Sequence, residues 1–121
     1  MMTDEVIDLV QRFNAALNAR DVDGMMSLMT QDCLFDNTSP PPGGTRYLGQ
    51  AAVRAFWEEF FQSSSQALIE TEEIFACGDH CVMRWLYTWF GSDGRPGTIR
   101  GVDIYRIEGN LIAEKRSYVK G

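Results

Sequence analysis

The sequence predicts an α+β domain in which helices lie on one face of a bent antiparallel sheet. In the first half of the 121-residue chain, apolar residues recur at helical spacing. In the second half, long runs of strand-forming residues are separated by glycine-containing turn signals, which is typical of hairpin-connected strands. The length is sufficient for one domain with a real core and is too short for two.

Three helices are predicted in the first half. Thr3 is suited to cap the first helix, which ends near residues 18–20, and Asp21 can cap a second, shorter helix. A third helix extends from residue 50 to about residue 62 and ends at the serines of residues 63–65. The apolar positions of the three helices are Val6, Leu9, Val10, Phe13 and Leu17, then Val22, Met25, Met26 and Met29, then Val53, Phe56, Trp57, Phe60 and Phe61.

One short strand and four long strands complete the predicted elements. The short strand covers residues 33–37. Residues 38–47 are predicted as a loop, because the prolines at 40–42 have no backbone N–H to donate and the backbone of the glycines at 43–44 is conformationally unrestrained. This loop suits either a lid or pocket rim, or a stiff surface connector. The long strands are predicted at about 66–76, 80–91, 98–108 and 110–119, with turn signals at 78–79, 92–94 and 109–110.

Composition and charge argue against several classes of partner. The net charge is -6 and basic residues cluster only at Lys115 and Arg116, so no nucleic acid partner is expected. Apolar runs are far shorter than the ~20 residues that span a bilayer, and the acidic start lacks the features of a signal peptide. We therefore expect a cytoplasmic protein without a membrane partner. Three cysteines and one histidine, without a CxxC pair, indicate reduced thiols and no metal site, and no cofactor is expected.

Asp103 is the most informative single position. It lies in mid-strand between Val102 and Ile104, where a carboxylate is costly to bury without a partner or a task. Antiparallel pairing around a turn near Gly94 brings Arg84 close to it. The sequence therefore predicts an Arg84–Asp103 ion pair on the inner face of the sheet. That pair would either take part in binding a ligand or be purely structural.

The strand that carries Arg84 has a second face, which holds five apolar or aromatic side chains. These cannot all be left in water. If the Arg84 face lines the interior, another chain must cover this one, which predicts a homodimer interface. In the alternative, the aromatic face lines the cavity, and Arg84 and Asp103 lie outside. The five residues are Cys81, Met83, Trp85, Tyr87 and Trp89.

An ordered set of motifs resembles the nuclear transport factor 2-like superfamily, in particular its SnoaL-like and ketosteroid isomerase-like members. The set covers essentially the whole chain and consists of FNAAL at 13–17, DVD at 21–23, DCLFDN at 32–37, YLGQAAV at 47–53 and RSY at 116–118. The resemblance implies a single domain over residues 1–121. It also implies a cone-shaped fold, in which a curved sheet backed by three N-terminal helices encloses a cavity and the outer sheet face often forms a homodimer.

The resemblance also assigns functional positions. In ketosteroid isomerases a base aspartate ends the first strand, where this chain has Asn37, with Asp36 one residue earlier. Their helix-1 tyrosine matches Phe13 and their second aspartate matches Asp103. In limonene epoxide hydrolases, a water-positioning asparagine matches Asn37 and a central arginine matches Arg84. The two aspartates of those hydrolases fall at Leu86 and Ser117. Compared with these two enzyme families, the chain therefore keeps residues that bind the substrate and has other residues at several positions that transfer protons.

Together these observations predict a protein that binds a small, mostly apolar molecule bearing a carbonyl or hydroxyl group. As an enzyme it would be a cofactor-free isomerase, cyclase or dehydratase. The alternative is a non-catalytic ligand-binding or dimerisation module, and the sequence leaves the two open. Asp103 is the first candidate acid or base, and Asp36 replaces it if the register slips by one. The predicted ligand-binding residues are Asn37, Arg84, Tyr118, Phe13, Phe35, Trp57 and Leu86, with Met29 and Phe56 as further walls.

Overall fold

The structure is a computed structural model that describes residues 1–63, 67–91 and 93–121. It confirms the predicted α+β class. Part of the predicted serine end of the third helix, and residue 92 of one turn signal, lie outside the described residues. The elements are α1 (Thr3–Asn18), α2 (Val22–Met26), β1 (Met29–Asn37), β2 (Thr45–Leu48), α3 (Gln50–Ser63), β3 (Ala67–Cys77), β4 (His80–Phe90), β5 (Pro96–Glu108) and β6 (Leu111–Val119).

The strands form one open, six-stranded sheet in the order β2-β1-β6-β5-β4-β3. Hairpins connect β3 to β4, β4 to β5 and β5 to β6, so these pairs are antiparallel. The expectation of a purely antiparallel sheet is wrong for one pair, because β1 and β6 run parallel. These two strands are far apart in the sequence, so no tight turn fixes their relative direction.

Two differences from the predicted boundaries concern the first helices. Thr3 is the first residue of α1 rather than its cap, and the backbone N–H of the capping residue Met2 donates to Glu5 Oε1 over 2.9 Å. The predicted cap of α2 is confirmed, since Asp21 Oδ1 accepts from the backbone N–H of Gly24 over 2.9 Å. α2 ends before Met29, which instead begins β1. β1 is therefore four residues longer than the predicted strand.

The predicted loop is shorter than expected, because β2 begins at Thr45 and pairs antiparallel with β1. Gly44 makes the return possible. Its φ is +72°, and its backbone N–H donates to Pro40 O over 2.8 Å. The irregular segment between the strands is thus residues 38–44, and it leaves the sheet at Asn37 and rejoins it opposite the same residue.

Side-chain amides fasten the helices to the sheet. Asn18 Oδ1 accepts from Ile69 N over 2.9 Å, and the Nδ2 groups of Asn18 and Asn14 donate to Ile69 O over 2.9 and 3.0 Å. Gln50 Nε2 at the start of α3 lies 3.1 Å from the carbonyl oxygens of Met26, Met29 and Thr30. These bonds fix α1 on β3 and α3 on β1.

The core lies between the helices and the inner face of the sheet, with Phe13 and Tyr105 among its largest fully buried side chains. All three cysteines are free thiols, and Cys33 and Cys81 are buried while Cys77 is exposed. Burial raises the pKa of the Cys81 thiol to about 11, which makes it unreactive at neutral pH. No helix in the described part of the chain is long and apolar enough to cross a membrane.

Candidate functional site

A pocket of about 930 Å³ opens between the inner face of the sheet, α3 and the segment that joins β1 to β2. Aromatic side chains are the largest group in its lining, and its charged lining residues are Asp103 and Lys115. The aromatic residues are Phe35, Tyr47, Phe56, Trp57, Phe60, Trp85, Tyr87, Trp89 and Phe90. The other lining residues are Asn37, Thr38, Ser39, Pro40, Pro41, Thr45, Ser63, Ile69, Ile99, Ser117 and Val119.

Residues 38–41 are part of this lining. The predicted loop therefore borders the pocket, which agrees with the interpretation as a rim rather than a surface connector. At its start, Asn37 Oδ1 accepts from the backbone N–H of Thr38 over 2.8 Å. This bond holds the Asn37 side chain at the point where β1 turns into the rim.

Asp103 borders the pocket from β5 and is only 3% exposed. Its Oδ2 atom lies 3.2 Å from Lys115 Nζ and accepts a hydrogen bond from the Tyr105 hydroxyl over 3.3 Å. Its Oδ1 atom is buried and has no hydrogen-bond partner among the described residues. The two oxygens of one carboxylate thus differ, since one carries both contacts and the other carries none.

Lys115, which is 5% exposed, supplies the positive charge of the site from β6. Its Nζ atom donates to Ser117 Oγ over 2.9 Å in addition to contacting Asp103. The same atom lies 4.6 Å from the centroid of the Phe35 ring and 5.7 Å from that of Trp57. Such ring faces attract an ammonium group, so the buried cation is held by a carboxylate, a hydroxyl and two aromatic rings.

Tyr105 closes the site on the core side. Burial, and next the negative charge of Asp103, raise the pKa of the Tyr105 phenol well above its ordinary value. The phenol therefore keeps its proton at neutral pH and donates it in the hydrogen bond to Asp103. The ring of Tyr105 meets Phe13 edge-on, with 6.2 Å between the centroids, which places Phe13 behind the site.

A family model described as "SnoaL-like domain" matches residues 10–115. The chain belongs to the SnoaL-like family.

Three solved structures are similar to this SnoaL-like domain over nearly its whole length. A nuclear transport factor 2-like protein of unknown function from Mesorhizobium loti is 29% identical, with a TM-score of 0.82 over 98% of this chain and 93% of that chain. A putative polyketide cyclase from Xanthomonas campestris pv. campestris is 19% identical, with a TM-score of 0.84 over 98% and 92%. A putative ketosteroid isomerase from Kribbella flavida is 16% identical, with a TM-score of 0.82 over 98% and 80%. The predicted superfamily and fold class are confirmed.

Four of the predicted site residues of this SnoaL-like domain line its pocket: Phe35, Asn37, Trp57 and Asp103. Phe56, which was predicted as a further wall, lines it too. Phe35 and Trp57 stack with their centroids 5.1 Å apart. Phe13 and Met29, by contrast, are buried in the core and do not border the pocket.

The predicted Arg84–Asp103 ion pair is wrong. Asp103 is paired with Met83 across β4 and β5, whereas Arg84 is paired with Val102. Because successive side chains of a strand point to opposite faces, Arg84 and Asp103 lie on opposite sides of the sheet. On the outer face, Arg84 Nη1 and Nε each lie 3.4 Å from a carboxylate oxygen, of Glu72 and Glu73 respectively.

The predicted dimer surface is wrong for the same reason. Cys81, Met83 and Trp85 are buried on the inner face, and Tyr87 and Trp89 line the pocket. The alternative prediction placed the aromatic face of β4 on the cavity and Arg84 outside, and it is right about both. It is wrong about Asp103, which lies on the same inner face as the aromatic residues.

Three further predicted residues lie outside the pocket lining. Leu86 and Tyr118 are on the outer face, where Tyr118 is 50% exposed, so neither is placed to bind a ligand in this pocket. Asp36 also points outward, where its Oδ2 lies 3.2 Å from Arg116 Nη1 and 3.6 Å from Arg46 Nε. Asp36 therefore does not replace Asp103 as an acid or base in this pocket.

The residue that sequence reasoning missed is Lys115. A signal for it exists in β6, where Glu114 and Arg116 lie on one face and Lys115 and Ser117 on the other. Glu114 and Arg116 pair with each other over 3.0 Å, as two neighbouring charges at a surface commonly do. Placing that pair outside would have put Lys115 inside. No group of three or more potential metal ligands occurs in the part of the chain that the structure describes.

Proposed function

We propose that the pocket binds a small, largely apolar molecule whose hydroxyl or carbonyl group meets Asp103 and Lys115. The observation that carries this proposal is the unpaired Asp103 Oδ1, a buried oxygen without a hydrogen-bond partner among the described residues. A desolvated carboxylate oxygen is costly unless something donates to it. A ligand hydroxyl at this position would supply that donor.

The rest of the lining supports the same ligand class. Trp85 Nε1 is a second buried polar atom without a partner in the described part of the chain, and it can only donate. A ligand that carries both a hydroxyl and a carbonyl group could donate to Asp103 and accept from Trp85 or Lys115. The aromatic side chains would cover its apolar part. The pocket volume of about 930 Å³ is within the range of small-molecule sites.

The chemistry that this arrangement favours is proton transfer. Lys115 and Tyr105 both contact Asp103 through Oδ2, which leaves Oδ1 as the oxygen that would act as the base. A proton on a ligand hydroxyl, or on the carbon next to a carbonyl, could move to Oδ1 while the Lys115 ammonium stabilises the negative charge that develops. Two similar structures are called a putative polyketide cyclase and a putative ketosteroid isomerase, and both reaction types can begin with such a step.

Ligand binding is expected to raise the thermal stability of the wild type, and this tests the proposal. The compounds to be screened are steroids, terpenoid epoxides, aromatic polyketides and small carboxylates, which form the panel. A ligand at about a hundredfold excess over its Kd stabilises the native state by about 2.7 kcal/mol, which a thermal-shift assay resolves. We expect the shift to be lost in Asp103→Asn and reduced in Trp85→Phe.

The matched control is Asp8→Asn, which neutralises an exposed carboxylate paired with Arg12 on α1, outside the pocket lining. It should shift as the wild type does. An equal shift in Asp103→Asn would contradict the role of Asp103. No shift with any member of the panel would contradict the proposed ligand class.

We also propose that a second copy of the chain covers the outer face of the sheet, which would support a role as a dimerisation module. Leu68, Phe75 and Tyr118 expose 45%, 51% and 50% of their surface on this face. Next to them are arginine and glutamate side chains, such as Arg84 and Glu72, which could exchange partners across a twofold axis. The outer face is also the one that the resemblance implies for a homodimer, but its residues are not the predicted set, which lies on the inner face.

Sedimentation equilibrium tests the dimer. The wild type should sediment as a dimer at micromolar concentration, and Tyr118→Glu should shift it to the monomer by placing a charge in the interface. Met2→Glu, at an exposed position before α1, is the control and should leave the mass unchanged. A wild type that sediments as a monomer would contradict the dimer.

A further inference from the structure

Lys115 combines features that the proton-transfer proposal does not use. The chain has only two lysines, of which Lys120 is exposed and Lys115 is buried at the pocket. We infer that Lys115 is a nucleophile that condenses with an aldehyde or ketone bound in the pocket and forms an imine. This inference rests on the proposed function, because the carbonyl compound must first bind there.

The surroundings of Nζ favour this chemistry. Amines act as nucleophiles in proteins where they are desolvated in an apolar pocket, and only the unprotonated amine attacks. Asp103 Oδ2, at 3.2 Å, is placed to take a proton from Nζ, and that transfer removes two opposite charges from an apolar site. Phe35 and Trp57 cover one side of Nζ.

The reaction balances with these groups alone. After Lys115 gives a proton to Asp103, Nζ attacks the carbonyl carbon, and the electron pair of the C=O π bond moves to oxygen. The extra proton on nitrogen then moves to that oxygen, which gives a neutral carbinolamine. Asp103 returns its proton to the hydroxyl group, the C–O bond breaks, water leaves, and the nitrogen lone pair forms the C=N bond.

The product is a protonated imine, so the site starts and ends with one positive charge on Nζ beside the Asp103 carboxylate. The ring faces that lie 4.6 and 5.7 Å from Nζ would stabilise this cation as they stabilise the ammonium group. A protonated imine also withdraws electrons from the neighbouring carbon. Proton removal there by Asp103 Oδ1 would then be easier than in the free ketone.

Reductive trapping tests the inference on the wild-type chain. The protein is incubated with 4-hydroxybenzaldehyde and sodium cyanoborohydride near neutral pH, and the adducts are located by peptide mass spectrometry. We expect Lys115 to be alkylated about tenfold or more faster than Lys120, although Lys120 is far more exposed. The preference should disappear in urea, where both amines are in water.

A parallel measurement separates this inference from the proposed function. All three tryptophans of the chain line the pocket, so their fluorescence reports whether the aldehyde enters it. A fluorescence change with adducts only on Lys120 and the terminal amine would overturn the imine and leave the proposed binding intact. No fluorescence change and no Lys115 adduct would overturn both.

Two variants give the matched comparison. Lys115→Arg keeps a positive charge beside Asp103 and cannot form an imine, so the adduct summed over lysine side chains should fall by about tenfold. Lys120→Arg removes the exposed lysine, and the adduct on lysine should stay close to that of the wild type. Equal losses in the two variants would overturn the assignment to Lys115.

Discussion

Replacing Asp103 by asparagine should lower the free energy of unfolding by about 3–5 kcal/mol. The reason is that Lys115 remains buried after its negatively charged partner has been removed. Lys115 is 5% exposed, and in this variant its ammonium group keeps the Ser117 hydroxyl, two ring faces and a neutral amide oxygen, but it has lost its counter-charge. A buried charge that loses its counter-charge is far more costly than a surface charge, because water cannot reach it.

The double variant Asp103→Asn with Lys115→Met shows whether the lost pairing is the cause. It removes both charges, so it should recover most of the stability that the single variant loses. Urea denaturation of the wild type, the single variant and the double variant provides the measurement. The variant Asp8→Asn, in which an exposed pair with Arg12 on α1 is broken, should cost about 0–1 kcal/mol. A cost for Asp103→Asn no larger than that would contradict the buried ion pair.

Replacing Gly101 by alanine should lower the free energy of unfolding by about 1–3 kcal/mol or more. A Cβ atom on this buried glycine would lie 2.3 Å from the backbone oxygen of Tyr118 and 2.4 Å from Trp85 Cζ2. The first contact is with the neighbouring strand, so it is relieved only if β5 and β6 move apart. The second would displace an aromatic wall of the pocket.

Gly43→Ala is the control for this prediction. Nothing lies within 4 Å of a Cβ atom built at Gly43, and its φ is not in the left-handed region, so the change should stay within about 0.5 kcal/mol of zero. The two variants are compared by urea denaturation and by ligand affinity. Gly101→Ala should also bind ligand more weakly, because Trp85 shifts. Equal stability of the two alanine variants would contradict the close packing at Gly101.

The regular elements could be predicted because they depend on local patterns. The apolar positions of α1 at Val6, Val10, Phe13 and Leu17 recur with the helical period, and all four are buried. Asp21 lies where a helix needs a side-chain acceptor, and it caps α2 as predicted. These signals come from a few consecutive residues, which is why the tertiary structure did not override them.

The site was harder to predict because it depends on register. The carboxylate of Asp103 in mid-strand indicates β5, and this residue does border the pocket. Its partner could not be found in the same way, because a shift of one residue in the pairing of two strands exchanges every inward and outward side chain. The observed pairing of Met83 with Asp103 therefore excludes Arg84 and brings in Trp85.

The position of Lys115 was harder still to predict, because it depends on pairing between strands that are far apart in the sequence. Lys115 pairs with Tyr105 on one side and, through the parallel contact, with Phe35 on the other. No turn connects β1 to β6, so nothing local in the sequence indicates that a lysine of one meets an aromatic ring of the other. The cation and its ring contacts follow from that pairing, and only the structure provides it.

The position of β6 has a consequence for the order in which the molecule assembles. β6 follows the other described strands in the sequence, yet it lies between β1 and β5 in the sheet. On the ribosome, the hairpins of β3, β4 and β5 and the pair of β1 and β2 can each form early, but no strand pairing joins these two parts of the sheet until β6 emerges. Because β6 also carries Lys115, the pocket gains the positive partner of Asp103 only when this strand is in place.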